Sequence, residues 1–396
     1  FRAMVLQPDL GVVYIDPYVV GMDEYCIVYD RADLPQDKTR KPGTIWNQNS
    51  DINGIPAHGD ALYVPAPEER GMQINPVELK VYDYVAATTG EFAQDHGGTK
   101  PLVFSAVIEY TDRVNALFER DANLRLQLVS ASENVVFLNP ATDPYTGVTA
   151  ADWLSQNTGV LSFYCNENSY DVGHVYARYL GGDASGIAGI GVVCGGGKAS
   201  GCTTGTGNGD YGDGFVKVIG QEVGHQLNSG HSWNSCDGNS QRNGQSAFEP
   251  GSGSTIMSYY GSCGPDNLDG PSILGYHSGS VEEIVQFYTT GTGNTCGSFL
   301  TSSNNPPVVT LPYQDNFFIP IQTPFELNGS AIDPDGDPLA YSWEGIDAGP
   351  EQPLGEQESA SAIFRIYAPS TATNRYFPRL SAILNNTTYV AELLPE

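Results

Sequence analysis

Val218-Ile-Gly-Gln-Glu-Val-Gly-His-Gln-Leu-Asn-Ser-Gly-His-Ser-Trp-Asn234 is the stretch on which the reading of this chain turns. Placed against the pattern H-E-x-x-H-x-x-G-x-x-H, Glu222, His225 and His231 fall on the second, fifth and eleventh positions. Gln221 stands where the first histidine belongs, and Asn228 where the glycine belongs. Residues four apart on a helix share a face, so 221 and 225 can point at one metal ion. Glu222 then sits beside a water at that metal, placed to act as general base. A turn after Leu227 must bring His231 back to the same point. Such a turn takes a left-handed residue, which glycine supplies freely and asparagine tolerates. Gln221 is the serious departure, because an amide oxygen is neutral and zinc prefers His, Cys or carboxylate.

A second stretch, Ser254-Thr-Ile-Met-Ser-Tyr259, places Met257 26 residues after His231. Alone it reads as an ordinary buried methionine beside two surface tyrosines. With the first stretch it resembles the metzincins, in which a tight turn carries a methionine beneath the metal. Tyr259 resembles the extra zinc-binding tyrosine of some members. The likeness extends through Ala86-Ala-Thr-Thr-Gly-Glu-Phe92, Arg113-Val-Asn-Ala-Leu-Phe-Glu-Arg-Asp121, Asn139-Pro-Ala-Thr-Asp-Pro-Tyr145, Gly189-Ile-Gly-Val-Val-Cys194 and Ala247-Phe-Glu-Pro-Gly-Ser-Gly-Ser-Thr-Ile-Met257. In that order the chain is similar to the secreted bacterial reprolysin-like metallopeptidases over residues 76–298. The resemblance implies an α/β catalytic domain of mixed sheet and long helices. It implies zinc at His225 and His231, with Gln221 in place of the first histidine and Tyr259 as a further ligand. It implies Glu222 as catalytic base, Met257 in the Met-turn, and protein or peptide substrates.

A chain of 396 residues with Lys+Arg 18 against Asp+Glu 46 has a net charge of −28. So acidic a surface repels nucleic acid and anionic membranes. No apolar run approaches the roughly 18 residues of a transmembrane helix. The opening at Phe1 is read as a processed or trimmed product, and a sorting or anchoring domain is expected beyond Glu396. Seven cysteines favour an oxidising compartment. Cys236 and Cys263 bracket the loop between zinc helix and Met-turn and are expected to pair; Cys194–Cys296 and Cys165–Cys202 are the remaining guesses. Cys26 is left over, as a free thiol or a pro-segment ligand to the metal.

The expected division is 1–75 as an N-terminal β-rich or pro-segment remnant, 76–298 as the catalytic domain, 299–306 as a linker and 307–396 as an all-β unit. Residues 1–6 and 11–16 read as strands, and 65–76 as a Pro-rich linker. Residues 77–88 and 124–129 alternate like strands, and 100–121 is an amphipathic helix with Val103, Val107, Tyr110, Val114 and Leu117 on one face. A helix near 150–156 and strands near 172–178 and 187–193 come next. Residues 195–214 read as a Gly-rich loop with Asp210 to Asp213 as its acidic rim. His58, His96, His174 and His277 read as structural.

Ala331-Ile-Asp-Pro-Asp-Gly-Asp-Pro-Leu-Ala-Tyr-Ser-Trp343 resembles a segment of PKD- and cadherin-like immunoglobulin folds, which implies a β-sandwich with Trp343 in its core. Asp333, Asp335 and Asp337 offer hard oxygens suited to Ca²⁺, with a solvated Asp-Gly turn as the equal alternative. Two functions compete. One is a secreted zinc endopeptidase. The other is an inactive relative kept as an extracellular binding, adhesion or structural module, attached to a cell surface or matrix through the C-terminal domain. Gln221 divides them, unless it is an engineered or misread histidine.

Overall fold

The computed structural model describes residues 3–7, 11–19, 22–30, 44–45, 78–181, 184–205, 211–313, 318–356 and 360–394. The 65–76 stretch, His58, Asp210 and the side chain of Cys26 lie outside the described residues. The N-terminal part is an antiparallel ladder of β1 (Ala3–Gln7), β2 (Gly11–Val19) and β3 (Met22–Asp30). Tyr14, fully buried, joins this ladder to the catalytic region, with its ring beneath the Arg113 guanidinium and its hydroxyl on Asp213.

The catalytic region is built on a seven-stranded mixed sheet. After β4 (Thr44–Ile45) come β5 (Glu78–Thr88), α1 (Gly90–Asp95), α2 (Lys100–Ala122), β6 (Leu124–Leu128), α3 (Ala150–Tyr164), β7 (Val172–Arg178), β8 (Gly186–Ala188) and β9 (Gly201–Gly205). The last elements of this region are α4 (Asp213–Gln226), α5 (Ser278–Thr289) and β10 (Ser298–Thr301). The strand order is β10-β5-β7-β9-β8-β4, with β6 on β5. The β5–β7–β9 core is parallel, and β8 runs antiparallel to β9. Alternate side chains of one strand face opposite ways. Tyr82, Tyr84 and Ala86 of β5 therefore pack with α2, α4 and α5, while Val85 and Ala87 pack with Trp153, Leu154 and Leu161 of α3. The five apolar residues expected on the inner face of α2 are all buried. A reciprocal cap between Thr149 and Asp152 starts α3, which runs well past 156.

Four expectations need correction. The strand expected near 187–193 is β8 alone, which ends at Ala188. Residues 201–205 of the supposed Gly-rich loop form β9, buried along its whole length between β7 and β8. Residues 299–301 of the supposed linker belong to β10, antiparallel to β5, because the edge of β5 has backbone groups to pair. Cys165 and Cys202 are unpaired buried thiols. The first lies at the end of α3, where its Sγ faces Ala131 O, and the second is inside β9. Cys194–Cys296 and Cys236–Cys263 are disulfides.

Beyond β10 come β11 (Val308–Thr310), β12 (Phe325–Asn328), β13 (Ser330–Ile332), β14 (Asn374–Phe377) and α6 (Leu380–Asn385). Among the described residues of this region are two two-stranded ladders, β11–β13 and β12–β14, and the bridges Tyr341–Ser370 and Phe364–Glu392. Trp343 is only half-buried. Phe325, Phe364 and Phe377 pack ring to ring within the region, while Leu354, Ala382, Tyr389 and Ala391 pack on Leu268 of the catalytic region.

Candidate metal centre

Helix α4 stops where its sequence says it should. Asn228 takes φ +72°, Asn228 N–H bonds His225 O at 2.8 Å, and Ser229 N–H bonds Gly224 O at 2.9 Å. That paired closure reverses the chain at a left-handed residue. His231 is thereby returned to the helix, and its Nε2 lies 3.2 Å from Nε2 of His225. Both rings are fully buried and meet edge to face.

The far nitrogens decide the tautomers. His225 Nδ1 lies 2.7 Å from Ser229 O, and His231 Nδ1 lies 2.8 Å from Gln241 O. A carbonyl only accepts, so each Nδ1 carries a proton, and Nε2 is the nitrogen each ring turns toward the other. Burial holds His225 neutral, down to about 4, against the opposing pull of the Ser229 carbonyl. Glu222 is fully buried, and neither carboxylate oxygen has a hydrogen-bond partner. Burial pushes its carboxyl well above the usual range. It is approached closely by β8: a Cβ on Gly186 would lie 2.7 Å from Glu222 Oε1.

Gln221 is buried one turn before His225, and its Nε2 donates to Ser258 O at 3.5 Å. The Tyr259 ring lies 4.4 Å from that of His231, and its hydroxyl donates to Gln241 Oε1 at 3.4 Å. Burial, then the nearby Glu222 charge, raises that phenol well above its ordinary value. Met257 is buried under α4. A Cβ on Gly224 would meet its sulfur at 2.7 Å, and its carbonyl accepts from Ser232 N–H at 3.1 Å.

Two buried carboxylates beneath the site were not singled out from the sequence. Glu249 accepts from the hydroxyls of Ser232, Ser254 and Thr255 and from Ser254 N–H, tying His231's neighbour to the Met257 turn. Glu283 of α5 accepts from Ser229 Oγ, Gly230 N–H and Ser246 Oγ. The partners of Glu283 come from distant positions, which no local pattern announces, and Glu249 adds Ser232 to the nearby Ser254 and Thr255. His174 bridges Gln226 and Thr203, His96 stacks on Phe92, and the His277 side chain caps α5. Asp333 accepts from the amides of Asp335 and Asp337, and Asp335 accepts from Asn305.

The donor set fits zinc in part. Two ligands each roughly 2.0–2.1 Å from one zinc at a tetrahedral angle stand about 3.3 Å apart. The two Nε2 atoms match this at 3.2 Å, a separation that a shared proton also spans. The unpartnered buried carboxyl of Glu222, which burial drives toward its neutral form, would be returned to its charged form by a nearby cation. Two imidazoles fit; the third position is an amide. Consistently, among the described residues no group of three or more His, Cys, Asp or Glu could hold a metal ion.

Residues 78–283 match the metallo-peptidase family M12B, reprolysin-like, which is just over half of the 396-residue chain. No curated protein matches. Among solved structures, one described as a chaperone-substrate complex is 18% identical with a TM-score of 0.35, over 52% of this chain and 34% of that one. Mature mirolysin of Tannerella forsythia, in complex with a cleaved peptide, is 16% identical with a TM-score of 0.35, over 54% of this chain and 93% of that one.

Proposed function

The chain belongs to the reprolysin-like M12B metallopeptidases, and from that premise we propose that it is a secreted zinc-dependent endopeptidase acting on proteins or peptides. His225 and His231 would hold the metal through Nε2, with Gln221 or Tyr259 completing the set and Met257 as the Met-turn beneath. Zinc, when bound, supplies a Lewis acid for the scissile carbonyl and for the attacking water. Glu222 is the general base. It takes the proton of the attacking water and returns it to the leaving amine. Its isolation supports this role, because a carboxylate engaged in structure would have donors around it. Ser229 and Gln241 hold the two imidazoles in the ligating tautomer through their carbonyls. The observation that carries the reading is the pair of facing Nε2 atoms at 3.2 Å. Two disulfides support an oxidising, extracellular setting, and among the described residues no helix is long and apolar enough to cross a membrane.

A second reading, an inactive relative that binds without cleaving, draws on Gln221, whose amide is already engaged with Ser258 O. The two part on one comparison. At equal added zinc, Gln221→His should bind zinc on the order of 100-fold tighter, since an imidazole replaces a weak ligand and each 1.4 kcal/mol is about tenfold. It should also cleave an unfolded protein substrate faster than the chain as it stands, with Glu222→Ala as blank. Equal binding and equal cleavage would mean that Gln221, or a group in its stead, is an adequate ligand.

A further inference from the structure

Gly349, Pro350, Gln352 and Ser361 lie against the loop that comes after α4, and fully buried Asn234 is the junction. Its Nδ2 donates to Pro350 O at 3.2 Å, and its Oδ1 accepts from Gln352 N–H at 3.1 Å and Ser361 Oγ at 3.4 Å. The Asn234 carbonyl accepts from Arg242 Nε at 2.8 Å, and the same guanidinium donates through Nη2 to Gly349 O. Arg242 comes directly after Gln241, the residue whose carbonyl takes the His231 Nδ1 proton and whose side chain meets the Tyr259 hydroxyl. A separate lock is Asp266, which accepts from Leu354 N–H and Ser235 Oγ, each at 2.9 Å. A loosely tethered module would leave these buried groups to be closed by the catalytic region alone. Here they are closed across the junction.

We infer that the C-terminal unit braces the metal centre: through Asn234 and Arg242 it holds Gln241 where its carbonyl keeps His231 in the ligating tautomer. Asn234 and Arg242 are positioning residues, distant from the reacting atoms. The inference rests on the zinc reading above. Removing the support behind a metal-ligating histidine commonly costs about 10–100-fold in metal affinity.

The test uses the full chain with Asn234→Ala, and Arg242→Gln as the second variant should the first not fold. Two quantities are read: ring ¹⁵N shifts of His231 in metal-free protein, and Zn²⁺ affinity by chelator competition. The unaltered chain should show one tautomer with Nδ1–H. The variants should show a mixture of tautomers and about tenfold weaker zinc. Glu326→Gln, in the exposed β12–β14 ladder, should change neither. A single tautomer with unchanged zinc affinity in both variants overturns the brace, and so does a mixture with unchanged affinity. If the unaltered chain holds no zinc, the zinc reading falls, and the tautomer measurement alone decides: a mixture in the variants sustains the brace and a single tautomer overturns it.

Discussion

Helix α4 carries two buried polar clusters, and they are finished differently. Toward β7 and β9, His174 places Nδ1 3.0 Å from Gln226 Oε1 and Nε2 2.8 Å from Thr203 Oγ1, while Gln226 Nε2 donates to Gly173 O at 3.0 Å. Toward the Met257 turn, His225 and His231 turn their Nε2 atoms on each other, beside a carboxylate with no partner. Burying a polar group is unfavourable unless it is hydrogen-bonded. The first cluster is complete within the chain, and the second leaves both Glu222 oxygens without a hydrogen-bond partner among the described residues. Burial alone therefore does not mark a site. The histidine pair 174 and 225 shows this, because burial lowers both to about 4. What separates them is the partner at the second nitrogen.

Changing Glu222 should give the largest effect. Glu222→Gln is expected to lower hydrolysis on the order of 10²–10⁴-fold. Its thermal unfolding midpoint should hold or rise, because a neutral amide replaces an unpartnered buried carboxylate. Hydrolysis assays with calorimetry on the same preparation check both. A less stable protein that keeps its activity would move Glu222 into the closed class.

The closed cluster should behave in the opposite way. His174→Ala is expected to lower stability by about 3 kcal/mol, since it leaves Gln226 and Thr203 without their partner, and to leave zinc affinity little changed. The pH dependence has a definite sign. Burial holds folded His174 at about 4, against 6.5 for the exposed side chain. As pH falls below about 6.5 the unfolded chain takes the proton first, so unfolding gains. The stabilisation is whole above that pH and is lost progressively down to about 4, up to about 3 kcal/mol in all. Denaturant titrations across that window, with and without zinc, should show the loss in both conditions. His174→Gln should remove about half of it, because His225, held equally low, contributes over the same window.

Features carried by spacing were legible in the sequence. The apolar face of α2 repeats at helical intervals, and the left-handed turn at Asn228 results from His231 having to return to the helix. The convergence of His225 and His231 was read from the same spacing, although their roles are still proposals. Features carried by distant partners were not legible. Gly201-Cys-Thr-Thr-Gly205 looks like a loop and is a strand only because β7 and β8 enclose it. Glu249 and Glu283 look like any acidic residue until the hydroxyls and amides around them are seen. Cys165 and Cys202 invited pairing as the leftovers of a count, yet helix end and sheet interior hold them as separate thiols. The docking of Pro350, Gln352 and Ser361 on Asn234 joins positions more than a hundred residues apart, and no period encodes that.

The central claim is that the open cluster binds zinc between two imidazoles. The most direct measurement is an anomalous difference map at the zinc edge, from crystals of the full chain grown with Zn²⁺, alongside crystals of His231→Ala. The account predicts one peak roughly 2.0–2.1 Å from both Nε2 atoms, lost in His231→Ala. A map with no peak between His225 and His231, or a peak that survives His231→Ala, would contradict it.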